Sequence, residues 1–192
     1  MNMKLILIQG NRPGAGKDTV AQMCIEELCK QKGIPRIAHA KVSWPLKALV
    51  HDLFDVAVDN MQEPIVENKE TYRADYIAIS ESMKKVRGEF FWASLFIEQH
   101  KNRTGQFKYK SDNPEYLIVS DSGFYAEASL LAQHFGIGNT MMIRVIRPSE
   151  NQIPDSRKLF SVGQLGVFEV DIHNMGTLAD LQDRVGSVIR ML

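Results

Sequence analysis

The chain has 192 residues, of which 44% are hydrophobic and 24% are charged, and its 23 basic residues balance its 23 acidic residues. The length suits one well-buried domain, and the composition is ordinary for a globular protein. A net charge of zero argues against a broadly basic surface that coats nucleic acid, although a local basic cleft stays compatible with it. No stretch resembles a signal peptide or a membrane span, so we expect a cytoplasmic protein with no membrane partner.

The stretch from Leu5 to Val20 is predicted to hold the phosphates of a nucleotide. The apolar run from Leu5 to Ile8 indicates a strand buried on both faces of a parallel sheet. Glycines then allow a compact loop whose amides converge on an anion, and Lys17 follows where a helix should begin. The candidate nucleotide-binding residues are Asn11, Gly14, Ala15, Gly16, Lys17, Asp18 and Thr19. The alternative is an ordinary strand-to-helix turn rich in small residues.

This loop departs twice from the usual phosphate-binding pattern, G-x-x-x-x-G-K-[ST]. Asn11 stands at the position of the first glycine, with Gly10 one residue earlier, and asparagine tolerates a positive φ better than most residues. Asp18 replaces the hydroxyl residue, and Thr19 follows it. A carboxylate beside phosphates is normally repulsive, so we expect Asp18 to bind Mg²⁺ or its waters.

The first predicted helix carries both cysteines, Cys24 and Cys29. Their spacing matches no usual zinc site, and we expect reduced thiols with a structural role. A short strand is predicted from Arg36 to Ala40 and a helix from Pro45 to Phe54. Lys41, which lies between them, and Lys47, early in that helix, are candidate contacts for an acceptor phosphate, with simple solvation as the alternative for each.

Two further helices are predicted, one from Lys69 to Arg87 and one whose apolar face begins at Phe90. Arg87 is a candidate phosphate contact because guanidinium groups bind phosphates bidentately. Arg73 is a weaker candidate of the same kind. The alternative for both arginines is ion pairing with neighbouring acidic residues.

The strand predicted from Tyr116 ends in Asp121. Ligands gather at the carboxyl ends of parallel strands, so Asp121 should lie beside the phosphate loop, near Mg²⁺ or its waters. Alternatively it caps the next helix, predicted from Phe124 to Phe135.

Another strand, from Thr140 to Ile146, is followed by Arg147. Together with Arg157 in the polar segment after it, Arg147 suits a lid that closes over the transferred phosphoryl group. A basic surface loop is the alternative.

The last elements are a strand from Val167 to Ile172 and a helix capped by Thr177. The predicted inner face of this helix consists of Leu178, Leu181, Val185 and Val188. The alternation of strands and helices predicts a parallel α/β sheet with right-handed crossovers.

Several stretches, taken together and in order, resemble the phage-type deoxynucleoside monophosphate kinases of the P-loop nucleoside monophosphate kinase superfamily. They are GNRPGAGKDT, the Pro-Leu-Lys helix start, RGEFFW, SDSGFYAEA, a strand ending in Arg-Pro, and FEVDIHNMGTLADL. The resemblance covers nearly the whole chain. It implies a three-layer P-loop kinase domain over residues 1–192, with a five-stranded parallel sheet, an acceptor-binding helical region at 41–100 and a short lid at 147–160.

The resemblance also implies ATP-dependent phosphoryl transfer, with Mg²⁺, to a deoxynucleoside monophosphate. Gly14, Gly16, Lys17, Asp18 and Thr19 would then hold the donor phosphates and the metal. Arg87 would face the acceptor, and Arg147 and Arg157 would serve the lid. Two residues depart from the family pattern: Trp44 stands where an acid is common, and Gly123 stands where an arginine is common.

Three other functions stay open. The chain could be a P-loop kinase for another small acceptor, or a nucleotide-binding protein without catalysis. A kinase acting on bases within DNA is hinted at by the alternating basic and aromatic residues of Lys101 to Lys110. The alternative, a solvated connector, is favoured by the shortness of this stretch and the turn signal at its end, and the zero net charge argues against a nucleic-acid partner. The expected partners are therefore small nucleotides, and the sequence leaves a homodimer open.

Overall fold

In a computed structural model of the chain, the structure describes residues 3–33, 35–55, 72–104, 107, 113–148 and 159–192. Five strands and six α-helices lie within these ranges. The strands are β1 Lys4–Gly10, β2 Ile37–Ala40, β3 Tyr116–Val119, β4 Thr140–Ile146 and β5 Phe168–His173. The helices are α1 Lys17–Lys32, α2 Trp44–Leu53, α3 Arg73–Arg87, α4 Phe91–Asn102, α5 Tyr125–Phe135 and α6 Leu178–Ile189.

The five strands form one parallel sheet in the order β2-β3-β1-β4-β5. β1 is the central strand, and Leu5 pairs with Leu117 on one side and with Thr140 on the other. Because all strands run the same way, their carboxyl ends meet at one edge of the sheet. The predicted five-stranded parallel α/β architecture is confirmed.

The core surrounds β1, where Leu5, Ile6, Leu7 and Ile8 are all fully buried. Alternate side chains of a strand point to opposite faces of the sheet. Ile6 and Ile8 belong to the cluster that α1 and α6 close over one face. Helix α5 also packs against β1, but none of its residues belongs to that cluster, which places α5 on the opposite face. The apolar run of β1 is therefore continuous because the strand is buried on both faces of the sheet, as the sequence suggested.

The chain divides into two compact units. The first, residues 1–41 and 111–192, contains the sheet with α1, α5 and α6. The second, residues 42–110, contains α2, α3 and α4, which pack on one another. That this helical part binds an acceptor, as predicted for residues 41–100, stays a prediction.

Within the second unit, two aromatic residues differ from expectation. Phe107 is fully buried, and its ring centroid lies 5.2 Å from that of Phe96, edge to face. It is therefore a core residue, and the suggestion that it stacks on nucleic-acid bases is wrong; the neighbouring Lys108, Tyr109 and Lys110 lie outside the described residues. Phe90 is 50% exposed because it precedes α4, so the buried face begins at Trp92.

Several predicted boundaries shift in the structure. α3 begins at Arg73, and residues 69–71 of the predicted helix lie outside the described residues. β3 ends at Val119, two residues before Asp121. Most of the predicted lid, residues 149–158 with Arg157, also lies outside the described residues. Of the described helices, none combines the length and apolar character needed to cross a membrane.

Helix α6 has the cap that the sequence predicted. The Thr177 hydroxyl accepts from the Asp180 amide at 3.2 Å, and the Asp180 carboxylate accepts from the Thr177 amide at 2.8 Å. These hydrogen bonds from Thr177 hold the pKa of Asp180 below its usual value. The inner face contains Leu181, Val185 and Val188 as expected, but Leu178, in the first turn, is 70% exposed.

We expect the two cysteines to differ sharply in reactivity. Both are free thiols, but Cys24 is buried in the core and burial raises its pKa to about 12, whereas Cys29 is exposed. A thiol reagent at pH 8 should therefore modify one cysteine of the native protein quickly and both in denaturant. Cys29→Ser should abolish the fast reaction. Equal rates for both thiols in the native state would contradict the buried position of Cys24.

The cap of α6 should contribute stability that depends on pH. A carboxylate with a lowered folded-state pKa stabilises the fold above its unfolded-state value of about 4, and the effect disappears as pH falls through the folded-state pKa. Asp180→Ala should therefore lower the free energy of unfolding at pH 7, and the difference from wild type should shrink below about pH 4. Urea denaturation at several pH values measures this. Asp183→Ala, at an exposed residue of the same helix outside the cap, is the matched control and should lower the free energy of unfolding at pH 7 by less than Asp180→Ala, because it removes no bond of the cap.

Candidate functional site

The loop between β1 and α1 has the backbone of an anion-binding turn. Gly14 and Gly16 have φ values of 70° and 99°, in the left-handed region that glycine adopts without strain. Gly16 is the N-cap of α1, and no side chain caps the helix there. As at the start of any α-helix, the first-turn amides have no helical carbonyl to donate to, and the positive end of the helix dipole lies with them. This end of α1, where Lys17 begins the helix, can bind phosphate.

Gly10, the glycine that stands one residue early in the pattern, is required by close packing. A Cβ at this position would lie 2.9 Å from the Ala15 Cβ and 2.9 Å from the Lys17 Cγ. Gly10 therefore lets the returning loop and the stem of Lys17 approach the end of β1. This close approach explains why a glycine stands at position 10, one residue earlier than in the usual pattern.

Asn11 fixes the loop through its side chain. Its φ is not positive, so the turn makes no use of the tolerance of asparagine for such a φ. Instead its Oδ1 accepts from the Arg147 backbone amide at 3.1 Å, and its Nδ2 donates to the Arg147 carbonyl at 3.1 Å. The Asn11 amide also donates to the Val145 carbonyl. Asn11 therefore joins the loop to the end of β4.

Arg147 lies on the phosphate loop. Its Nη1 donates to the Gly14 carbonyl at 3.0 Å, and one residue further on the Pro148 carbonyl accepts from Arg12 Nη2 at 2.8 Å. The sequence predicted Arg147 for a lid, and the structure places it against the loop itself. Arg87 ends α3 in the second unit and Arg157 lies outside the described residues, so their predicted roles stay predictions.

Asp18 belongs to a hydrogen-bonded group that the sequence did not reveal. Its Oδ1 accepts from the Ser120 hydroxyl at 3.0 Å and lies 3.6 Å from Lys41 Nζ. The Ser120 Oγ lies 2.9 Å from His39 Nε2. Asp121, the next residue, is half-buried, and it does not cap α5, because Phe124 occupies the N-cap.

A second residue missed by the sequence reasoning is Asn174, which follows β5. Its Nδ2 donates to the Ala15 carbonyl at 2.8 Å, and the Ala15 amide donates to the Arg12 carbonyl. Ala15 thus uses both backbone groups to hold the loop together, so it shapes the binding site rather than offering its amide to a ligand. The signal for Asn174 was its place in the stretch FEVDIHNMGTLADL, in which the sequence reasoning assigned a role only to the cap at Thr177.

A cleft of about 500 Å³ opens beside the loop. Its lining comes from the phosphate loop, Arg147 and the start of α6: Gly14, Gly16, Lys17, Asp18, Thr19, Arg147, Asn174, Gly176, Thr177, Leu178 and Leu181. The exposed position of Leu178 is thereby explained, because this side chain lines the cleft instead of the core. The volume lies in the range of small-ligand sites.

The oxygen donors near the loop suit a hard cation. Among the described residues, no three His, Cys, Asp or Glu side chains form a metal cluster. Mg²⁺ is usually held by one or two carboxylates together with substrate phosphates and water, so it needs no such cluster. Asp18, Thr19 and Asp121 are residues of the right chemistry, and within the described part of the chain no hydrogen bond or ion pair engages Asp18 Oδ2.

No protein-family model and no curated protein matches the chain. Solved structures do match in fold. A gluconokinase from Sinorhizobium meliloti 1021 aligns at 12% identity, covering 99% of this chain and 93% of its own, with a TM-score of 0.44. A protein from Chloroflexus aurantiacus described as a "putative kinase" aligns at 11% identity, covering 100% and 98%, with a TM-score of 0.50. The second of these alignments supports the fold alone, a five-stranded parallel α/β sheet with a glycine-rich loop between β1 and α1.

We expect the Asn11 side chain to stabilise the fold. Asn11→Ala removes both hydrogen bonds to the Arg147 backbone and should lower the free energy of unfolding by about 1 kcal/mol, because each bond is exposed. Asn11→Gly should also be destabilising, although it restores the usual loop pattern. Urea denaturation measures both.

Asn102→Ala is the matched control for Asn11. It removes an exposed asparagine bond within one helix, to Glu98, and should cost only about 0.3 kcal/mol. An Asn11→Ala protein as stable as wild type would contradict the conclusion that the Asn11 side chain holds the loop to the end of β4.

Proposed function

We propose that the chain is a kinase that transfers a phosphoryl group from ATP to a nucleoside or deoxynucleoside monophosphate, giving the diphosphate. The observation that carries the proposal is the uncapped start of α1 at Gly16 and Lys17, with Arg147 anchored on the Gly14 carbonyl. The amides of the first turn of α1, a lysine and an arginine around one glycine turn would together suit several phosphate charges.

The donor nucleotide fits the cleft beside the loop. Its phosphates would lie over the amides of the loop and the first turn of α1. Its nucleoside would extend towards the start of α6, where Leu178 and Leu181 supply apolar surface. A site with polar groups at one end and apolar groups at the other suits a nucleotide.

Catalysis at such a site consists of alignment and charge neutralisation. The acceptor phosphate oxygen is already a competent nucleophile, so no covalent enzyme intermediate is needed. Lys17 and Arg147 would neutralise charge on the transferred group, and Arg147 is held for this by its bond to Gly14. Mg²⁺, when bound through Asp18 and the phosphates, supplies further neutralisation of the same charge.

The choice of a nucleoside monophosphate as acceptor rests on the order of motifs along the chain. Arg87 is proposed to hold the acceptor phosphate and Arg157 to act from the lid, as guanidinium groups do in phosphoryl transfer. Trp44 and Gly123, the two departures from the family pattern, bear on which acceptor is used.

Acceptor-dependent ADP release tests the proposal. The purified protein is given ATP and Mg²⁺ with each deoxynucleoside and ribonucleoside monophosphate in turn, and ADP formation is followed. Turnover with one or more of them is the expected result and identifies the base. ATP binding without turnover on any of them would contradict the proposed acceptor and would favour another small acceptor or a non-catalytic binding protein.

Lys17→Ala should remove most activity and leave the fold intact. Loss of a preorganised positive group at the transferred phosphate costs on the order of 10²–10³-fold in turnover. Lys32→Ala, which removes the same charge at the other end of α1, is the matched control and should keep wild-type turnover. Circular dichroism and thermal unfolding check folding. Wild-type turnover in Lys17→Ala would contradict the proposal that Lys17 neutralises charge on the transferred group.

A further inference from the structure

The carboxylate at position 18 needs an explanation that the general phosphate-loop pattern does not supply. A hydroxyl residue is usual at this position, and a negative charge beside phosphates is repulsive unless it is directed at a cation. The Asp18 side chain is 71% exposed, so burial does not hold it in one orientation. Its orientation depends on the groups bound to Oδ1.

Those groups come from the ends of two neighbouring strands. Ser120, which is fully buried, follows β3 and donates to Asp18 Oδ1 at 3.0 Å. Lys41, which follows β2, places Nζ 3.6 Å from the same oxygen. Both contacts engage Oδ1, which fixes the plane of the carboxylate and leaves Oδ2 for a further ligand.

Counting protons assigns the direction of the remaining hydrogen bond. An ionised carboxylate only accepts, and a serine hydroxyl has one proton to give. When the Ser120 hydroxyl donates to Asp18, its oxygen must accept from His39 Nε2, 2.9 Å away. His39 must therefore carry a proton on Nε2.

We propose that Ser120 and His39 are positioning residues that orient Asp18 towards the Mg²⁺ ion of a bound nucleotide. Ser120 then supplies, from the end of β3, the hydroxyl group that the loop itself lacks at position 18. Lys41 offsets the extra negative charge. This inference rests on the proposed function, since it needs a metal–nucleotide complex in the loop.

The test measures how strongly Mg²⁺ tightens nucleotide binding. Calorimetric titration with a non-hydrolysable ATP analogue, with and without Mg²⁺, gives this enhancement independently of turnover. Ser120→Ala should reduce the enhancement about tenfold, as expected for losing a hydrogen bond to a charged group. Affinity without Mg²⁺ should stay as in wild type, because the loop amides and Lys17 are unchanged.

Ser129→Ala is the matched control. Ser129 is also buried, but its hydroxyl donates to the Ala126 carbonyl within α5. Its loss should leave the Mg²⁺ enhancement unchanged.

Variants of His39 keep the inference testable if Ser120→Ala does not fold. His39→Leu removes the donor to Ser120 and should reduce the enhancement in the same direction. His39→Gln keeps an N–H donor on a side chain of similar reach and should restore most of it. Nitrogen-15 NMR of the wild-type protein should show His39 protonated on Nε2, and a bare Nε2 would overturn the proposal.

The outcomes separate this inference from the proposed function. Full Mg²⁺ enhancement in Ser120→Ala, with Mg²⁺-dependent binding by wild type, overturns the positioning role and leaves the kinase proposal standing. An equal loss of affinity with and without Mg²⁺ shows a purely structural serine and also overturns it. Wild-type protein that binds no ATP analogue under either condition overturns both proposals.

Discussion

The turn between β1 and α1 is so closely packed that neither of its ends has room for a Cβ atom. At Gly10 a Cβ would meet Ala15 and Lys17, and at Gly16 it would lie 2.6 Å from Asn174 Nδ2. That amide nitrogen also donates to the Ala15 carbonyl. A side chain at Gly16 would therefore require a disfavoured φ of 99° and would displace the group that holds the loop. The shape of the loop and the position of Asn174 depend on each other.

The parallel sheet explains how residues distant in sequence reach this turn. Each of the five strands is followed closely by a residue of the site: Lys17 after β1, Lys41 after β2, Ser120 after β3, Arg147 after β4 and Asn174 after β5. Parallel strands place their carboxyl ends at one edge, so each strand delivers its residue to the same place. The loop provides the backbone amides, and the other four strands provide the side chains that hold or surround it.

The sequence predicted the features that have local patterns. The apolar run of β1, the glycines of the loop and the cap at Thr177 each depend on neighbouring residues, and each was recognised. The side-chain bonds between strands depend on pairs far apart in sequence, such as Asn11 with Arg147, 136 residues away, and such pairs leave no local pattern. For Leu178 a local pattern was present but misleading. Its helical spacing predicted that it lies on the buried face of α6, but it lies in the open first turn, where spacing does not decide burial.

The ion pair of Asp18 with Lys41 is better understood as a means of orientation than as a source of stability. With Asp18 71% exposed, such a pair contributes only about 0–1 kcal/mol. Its electrostatic effect on a ligand is larger, because the charges of Asp18 and Lys41 offset each other, so Lys41 does not add to the positive charge of Arg12, Lys17 and Arg147 around the loop. A hydroxyl at position 18 would not offset the charge of Lys41 in this way. A carboxylate at position 18 therefore makes tight nucleotide binding depend more strongly on a cation, since the cation offsets both the phosphates and Asp18.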